Sequence, residues 1–208
     1  MFRRIKGKVY GVLTDFDLSS WKAALTADYS KTSQQRTGTP PYMAYGLLNG
    51  TDPLHLYRHD LESLFYIILT LAAHHEIHRT QPTEIGGVRM RREPGVLPYE
   101  LWFDQHSYDV LAYAKYCFLR SPATFNLSPD FEDFRNWIAA FHSSFRNGFL
   151  AQEIFQSDGG AYDDETMGGK VCYPALIDSA RNLKGKLKGL VIRYESDPAP
   201  ASVGKADN

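Results

Sequence analysis

The hydrophobic positions change from a strand-like spacing at the start of the chain to a helical spacing over much of the remainder. Apolar and β-branched residues alternate over residues 8–17, which predicts a short strand paired with residues 1–5. Residues 18–56 are rich in Ser, Thr, Gly, Pro and Asn and predict a loop, apart from a short helix near residues 20–27. Such a long loop within a compact domain is more often functional than incidental.

The strongest helical signal lies at residues 61–73. Apolar side chains fall on both faces of this segment, so we expect a central helix that is packed on every side. Apolar stripes at three- and four-residue spacing predict three further helices. These stripes are Tyr108, Leu111, Ala112, Lys115 and Phe118, then Phe131, Phe134, Ile138, Phe141 and Phe145, and finally Leu176, Ala180, Leu183 and Leu187.

The boundaries of these helices follow from local signals. Ser128 is the predicted cap of the second of them and Pro129 its first residue. Residues 79–100 and 150–170 are predicted loops, and residues 197–208 are a predicted disordered tail because they offer almost nothing to bury. The pattern therefore predicts a mainly α fold with a short N-terminal β-hairpin, in one domain over residues 1–196.

Composition excludes several classes of protein. The chain has 208 residues and a net charge of -1, which indicates one globular domain without the basic excess of a nucleic-acid binder. The most apolar run, residues 64–73, is about half as long as the roughly 20 residues of a membrane-spanning helix. Cys117 and Cys172 indicate small buried side chains in a reducing compartment. We therefore expect an intracellular protein, cytoplasmic or nuclear, without nucleic-acid or membrane partners.

Three segments, taken in order, carry a family resemblance. They are LTDFDLSS at residues 13–20, RTGTPPYMA at 36–44 and LYRHDLESLFYIIL at 56–69, and GGKVCYPAL at 168–176 is a fourth, weaker element. Together they resemble the C-terminal half of the fungal-type protein kinase domain family. The resemblance implies the helical large lobe (C-lobe) of a protein kinase. It also implies ATP- and Mg²⁺-dependent phosphoryl transfer to Ser or Thr of proteins as the parent activity.

The resemblance assigns roles to individual residues. Asp15 would bind the magnesium ion that bridges the phosphates of ATP, and Phe16 would fill an apolar slot beside the nucleotide. Thr37 and Thr39 would lie in the activation segment, whose groove receives a protein substrate or partner. Asp60 would be structural, holding the backbone of the catalytic loop. Without the flanking motifs, Asp15 is better explained as a turn-capping aspartate after a strand.

Several kinase elements have no match in these residues. A Gly-rich loop, the lysine that binds ATP and the His-Arg-Asp loop all precede the magnesium motif in the family, whereas only 14 residues precede Asp15 here. We expect that the chain is a truncated kinase domain with no catalytic residue of its own, and that it does not bind ATP and Mg²⁺ tightly. Two positions depart from the family: Asp17 replaces the motif's glycine, and Gly46 replaces an acidic residue that anchors the activation segment through a distant arginine.

Two alternative functions remain open at this stage. The first is a non-catalytic interaction module, a pseudokinase-like remnant that binds a partner through the activation-segment groove or an uncovered face. The second is a zinc hydrolase built on His74, His75 and His78, because His74 and His78 would lie one turn apart on a helix. The zincin pattern is incomplete, since Arg79 occupies the position of its second histidine.

Overall fold

The chain folds mainly as α-helices, as the sequence predicts. The computed structural model describes residues 2–5, 8–11, 38–50, 55–81, 84–90, 99–104, 107–158 and 162–181. Within these ranges the helices are α1 (Tyr45–Asn49), α2 (Tyr57–His74), α3 (Leu101–Asp104), α4 (Tyr108–Arg120), α5 (Arg135–Asp158) and α6 (Tyr173–Arg181). In the same ranges, short 3-10 helices span Pro40–Tyr42 and Pro129–Phe134.

Among the described residues, four strands form two separate antiparallel hairpins. At the start of the chain, β1 (Phe2–Ile5) pairs with β2 (Lys8–Gly11), so that Phe2 lies opposite Gly11. The second hairpin joins β3 (His75–Gln81) to β4 (Glu84–Met90). Residues 12–17 of the strand predicted over 8–17, and the helix predicted near residues 20–27, lie outside the described residues.

The second hairpin overturns two predictions. Residues 79–81 and 84–90 were expected in a loop, but they are paired strands. The chain leaves the helical conformation after His74 because His75 is already extended, with φ of -120° and ψ of 154°. His78 therefore lies in a strand, and the one-turn helical spacing expected between His74 and His78 is wrong.

Helix α2 runs through the core of the described structure. Phe65, Tyr66 and Leu69 are fully buried on it, and α5 packs alongside. The prediction of packing on every side is wrong for one stripe: Leu64, Ile67 and Leu71 are 38%, 46% and 43% exposed. Their spacing of three and four residues puts them on one face, which the described elements leave open to solvent.

The later helices follow the predicted stripes closely. Helix α4 is capped by Ser107, whose side chain accepts a hydrogen bond from the backbone of Val110, and α5 continues directly from the 3-10 helix that begins at Pro129. The loop predicted over residues 150–170 is wrong for residues 150–158, which extend α5. Helix α6 contains Leu176 and Ala180 of the predicted stripe, while Leu183 and Leu187 lie outside the described residues.

The loop between α5 and α6 is tied to both α2 and α5. The backbone N–H of Tyr173 donates to the hydroxyl of Tyr57 at 2.7 Å, and Arg58 donates through Nε to the carbonyl of Asp164 at 2.8 Å. The hydroxyl of Tyr162 donates to the carbonyl of Gly148 at 2.7 Å. These bonds place the GGKVCYPAL element against the start of the central helix.

Gly148 offers a test of this packing. A Cβ added at Gly148 would lie 2.7 Å from the Cβ of Met167, a contact that neither backbone can relieve without shifting. Alanine normally stabilises a helix interior by about 1 kcal/mol over glycine. We expect the opposite sign for Gly148→Ala, a loss of about 1–3 kcal/mol in the free energy of unfolding measured with urea, because the site is overpacked. Ser143→Ala, at an exposed position of α5, is the control and should change little; a stabilised Gly148→Ala would contradict the packing.

Candidate functional site

The segment at residues 38–46 is a turn fixed by its own backbone. The carbonyl of Thr39 accepts hydrogen bonds from the backbone of Tyr42 at 2.8 Å and of Met43 at 3.2 Å. Prolines at the first two positions of the 3-10 helix fix φ close to the helical value. Met43 and Ala44 are buried, whereas Gly38 and Thr39 are exposed. Thr39 therefore lies at the surface, while the buried residues Met43 and Ala44 attach the segment to the core.

A buried lysine donates hydrogen bonds to the backbone of this turn. Lys115, on α4, is fully buried, and its Nζ donates to the carbonyl of Met43 at 2.5 Å and to that of Pro40 at 3.2 Å. The same nitrogen lies 4.1 Å from the centre of the Tyr66 ring and 5.6 Å from that of Trp102, within the range of cation–π attraction. Burial lowers the pKa of Lys115 to about 7, and the charge of Glu62 partly opposes that shift.

A buried carboxylate holds the other end of the segment. Glu62, on α2, accepts hydrogen bonds from the backbone N–H of Tyr45 and from the hydroxyl of Tyr66, both at 2.7 Å. Burial raises the pKa of Glu62, and these two hydrogen bonds oppose the shift. Burial also raises the pKa of Tyr66 well above its ordinary value, so the phenol remains a donor. The amine of Lys115 thus binds carbonyls of the segment, and the carboxyl group of Glu62 binds one of its N–H groups.

Asp60 lies in the first turn of α2 and faces solvent. Its carboxylate is 2.9 Å from Nε2 of His55, and the side chain is 71% exposed. The hydrogen bond with Asp60 raises the pKa of His55, while partial burial opposes that rise. Next to it, His59 accepts a hydrogen bond at Nδ1 from the backbone of Leu56 and so satisfies a free donor at the helix start. An acidic residue in a first helical turn also suits the helix dipole.

The residues proposed from the sequence fall into two groups. Asp15, Phe16 and Thr37 lie outside the described residues. Thr39 and Asp60 are both described, one before the 3-10 helix at Pro40–Tyr42 and the other at the start of α2. In the described part of the chain, no group of three His, Cys, Asp or Glu side chains could hold a metal ion.

Glu62 and Lys115 received no functional role from the sequence. Lys115 stands in the apolar stripe predicted for α4, and a lysine at a core position is a signal for a buried, hydrogen-bonded cation. Glu62 belongs to the LYRHDLESLFYIIL segment, and the sequence gives no separate signal for its role. Lys115 binds a carbonyl 72 residues away along the chain, and Glu62 binds an N–H 17 residues away. The spacing of residues in the sequence does not reveal such contacts.

The comparison with known protein families supports the resemblance over the first third of the chain. Residues 3–72 match the fungal protein kinase family. The resemblance inferred from the three motifs is therefore confirmed over this range, which is about a third of the chain and includes Thr39, Asp60 and Glu62. Lys115 and the GGKVCYPAL element lie beyond the fungal protein kinase match.

The other comparisons add no relative. No curated protein and no solved structure matches the chain. Among the residues that the structure describes, no helix is long and apolar enough to cross a membrane.

Proposed function

We propose that this chain forms the helical large lobe of a fungal-type protein kinase domain and carries the segment that receives the protein substrate. The parent reaction transfers the γ-phosphoryl group of ATP to a Ser or Thr hydroxyl of a protein, with Mg²⁺ neutralising charge on the phosphates. The family match at residues 3–72 supports a kinase-related function. The fragment's place in the large lobe follows from the order of the motifs.

One observation carries the proposal furthest. The carboxylate of Glu62, in the third motif, binds the backbone of Tyr45, which directly follows the second motif. The two motifs are separated along the chain by residues 45–55, yet a part-buried hydrogen bond joins the third to the residue that directly follows the second. Such direct contact is expected if the second motif is a substrate-binding segment that docks on the central helix.

The proposal gives each family residue a limited role. Asp15 would bind Mg²⁺ and Phe16 would pack beside the nucleotide, while Thr37 and Thr39 would border the path of the substrate peptide. Asp60, exposed at the start of α2, would accept hydrogen bonds from the catalytic loop of the complete domain. The proposal assigns no catalytic base to these 208 residues, and we propose that on their own they do not transfer phosphate.

A second candidate function is a non-catalytic interaction module. The exposed stripe of Leu64, Ile67 and Leu71 on α2 favours it, because apolar side chains in a row on a central helix are suited to contact another protein surface. The turn that presents Thr39 would then bind a partner protein rather than a substrate.

A chimera tests the kinase proposal directly. The chain is joined, at Met1, to the N-terminal part of an active fungal-type kinase that ends after its catalytic-loop asparagine. We expect the chimera to transfer phosphate from ATP to a Ser/Thr protein substrate, and Asp15→Ala to lower this rate by about a thousandfold or more, because the magnesium ligand is lost. Transfer of labelled phosphate to the substrate is the measurement.

Controls make the result specific. Asp17→Ala should retain activity within about tenfold, because Asp17 occupies the motif's glycine position and binds no metal in this proposal. The 208-residue chain alone should transfer no phosphate in the same assay. A folded chimera without activity would refute the kinase proposal and favour the interaction module.

A further inference from the structure

We propose that Lys115 is the positioning residue that anchors the 38–46 segment to the helical core. It takes the role that an acidic side chain at position 46 would have in the fungal-type kinase family. The inference rests on the proposed function only in taking this segment as the substrate-binding one. Gly46 has no side chain, so no ion pair at that position can hold the segment. The buried contacts of Lys115 supply an anchor from a different helix.

The position of the anchor is specific. Nζ of Lys115 reaches two carbonyls, that of Pro40, the first residue of the 3-10 helix, and that of Met43, which directly follows it. The carbonyl of Met43 accepts the shorter bond at 2.5 Å, and Met43 itself is buried. A backbone carbonyl that is buried without a partner costs free energy, so the turn loses support as soon as the amine is removed.

The chemistry of an amine suits this task in either protonation state. An ammonium has three N–H donors and a neutral amine has two, so both carbonyls can be satisfied in each case. The rings of Tyr66 and Trp102 favour the cation, whereas burial disfavours it. A methionine of similar length would fill the same space but donate no hydrogen bond.

The groups that face the amine come from three elements. Glu62 and Tyr66 lie on α2, Trp102 lies on α3, and the two carbonyls belong to the segment itself. Glu62 binds the N–H of Tyr45 and not one of these carbonyls. Lys115 and Glu62 therefore act on opposite ends of the segment, and removal of the amine should loosen the Pro40–Met43 turn more than the Tyr45 end.

Amide hydrogen exchange of the 208-residue chain, without nucleotide or substrate, tests the anchor. In Lys115→Met we expect exchange at the amides of Tyr42 and Met43 to become about tenfold faster or more, the effect of losing one buried hydrogen bond. Exchange at Phe145 and Phe149 in α5 should change by less than about threefold. Lys115→Arg, whose guanidinium can also donate to two carbonyls, should restore most of the protection. Lys170→Met, at an exposed lysine, is the matched control.

Two outcomes would overturn the proposal. Equal acceleration at the turn and in α5 would mean that Lys115 serves only the general stability of the domain. Unchanged exchange at Tyr42 and Met43 would mean that it does not hold the turn. Because phosphoryl transfer is not measured, failure of the kinase proposal leaves this result unaffected.

A measurement on the unaltered chain covers the case in which Lys115→Met does not fold. An NMR titration that follows the Cε of Lys115 should show a midpoint near 7, since the pKa of the buried amine is lowered to about 7. Absence of nuclear Overhauser contacts between the Lys115 side chain and the Tyr66 ring, whose centre lies 4.1 Å from Nζ, would place the amine away from both carbonyls and would refute the anchor.

Discussion

Phe65→Ala is expected to lower the free energy of unfolding by about 4 kcal/mol, the largest effect of any single core truncation proposed for this chain. Phe65 is fully buried on α2. Five rings surround it at centroid distances between 5.2 and 6.2 Å: those of Tyr66, Phe118, Phe141, His142 and Phe145. Loss of this ring would leave a cavity lined by residues from α2, α4 and α5.

The surrounding rings have little freedom to fill that cavity. His142 is fixed by a hydrogen bond of 2.8 Å from Nε2 to the carbonyl of Phe118, and Phe141 stacks on Phe145 at 5.4 Å. Cavities that do not collapse carry the full cost of the lost contacts. A loss of about 4 kcal/mol is a large part of the 5–15 kcal/mol that stabilises a typical domain.

Urea unfolding followed by circular dichroism measures this effect. Ile67→Ala is the matched control, because it removes an apolar side chain from the same helix at a position that is 46% exposed. We expect Ile67→Ala to cost less than about 1 kcal/mol. A loss below about 1.5 kcal/mol for Phe65→Ala would show that the aromatic cluster is looser than the structure indicates.

The second large effect is a rise in stability with pH. Burial lowers the pKa of Lys115 to about 7, whereas an unfolded lysine titrates near 10.5. Between these values the unfolded chain binds a proton that the folded chain has released, so raising the pH favours the folded state. The free energy of unfolding should rise by up to about 1.4 kcal/mol per pH unit, or about 3 kcal/mol between pH 7.5 and 9.5.

Two tyrosines and one histidine with shifted pKa values act outside this pH window. Burial raises the pKa of Tyr99 and of Tyr162 to about 12, so their stabilising contribution is lost only as the pH rises above about 10. Burial lowers the pKa of His142 from 6.5, and its contribution is lost as the pH falls below that value. The raised pKa of Glu62 gives a contribution that is complete below pH 4.5 and declines as the pH rises through the folded pKa.

Substitution of the lysine isolates its contribution. Lys115→Met should remove the rise between pH 7.5 and 9.5, and Lys170→Met should retain it because Lys170 is exposed. Urea midpoints at half-unit pH intervals provide the measurement. A flat or falling curve for the unaltered chain, or an unchanged slope in Lys115→Met, would contradict the burial of this amine.

The sequence determined helices α2, α4, α5 and α6 and the resemblance to a family, but not α1, which lies in the loop predicted over residues 18–56. The successful predictions depend on patterns within short stretches of chain. Apolar stripes located α4, α5 and α6, and three motifs indicated the fungal protein kinase family that matches residues 3–72. These signals are local: the period of a helix and the spacing of a motif can be read within about 20 residues.

Only the tertiary structure decided which polar residues hold the candidate site. The sequence did not predict the β3–β4 hairpin, because its residues are mostly polar and include Gly86 and Gly87, which have low strand propensity. The hairpin forms through pairing between the two strands. The exposure of Ile67 depends on which elements surround α2 rather than on the residue itself. Lys115 fixes the 38–46 segment because folding brings its amine to carbonyls 72 and 75 residues away, in an interior where an unpaired charge or carbonyl is costly.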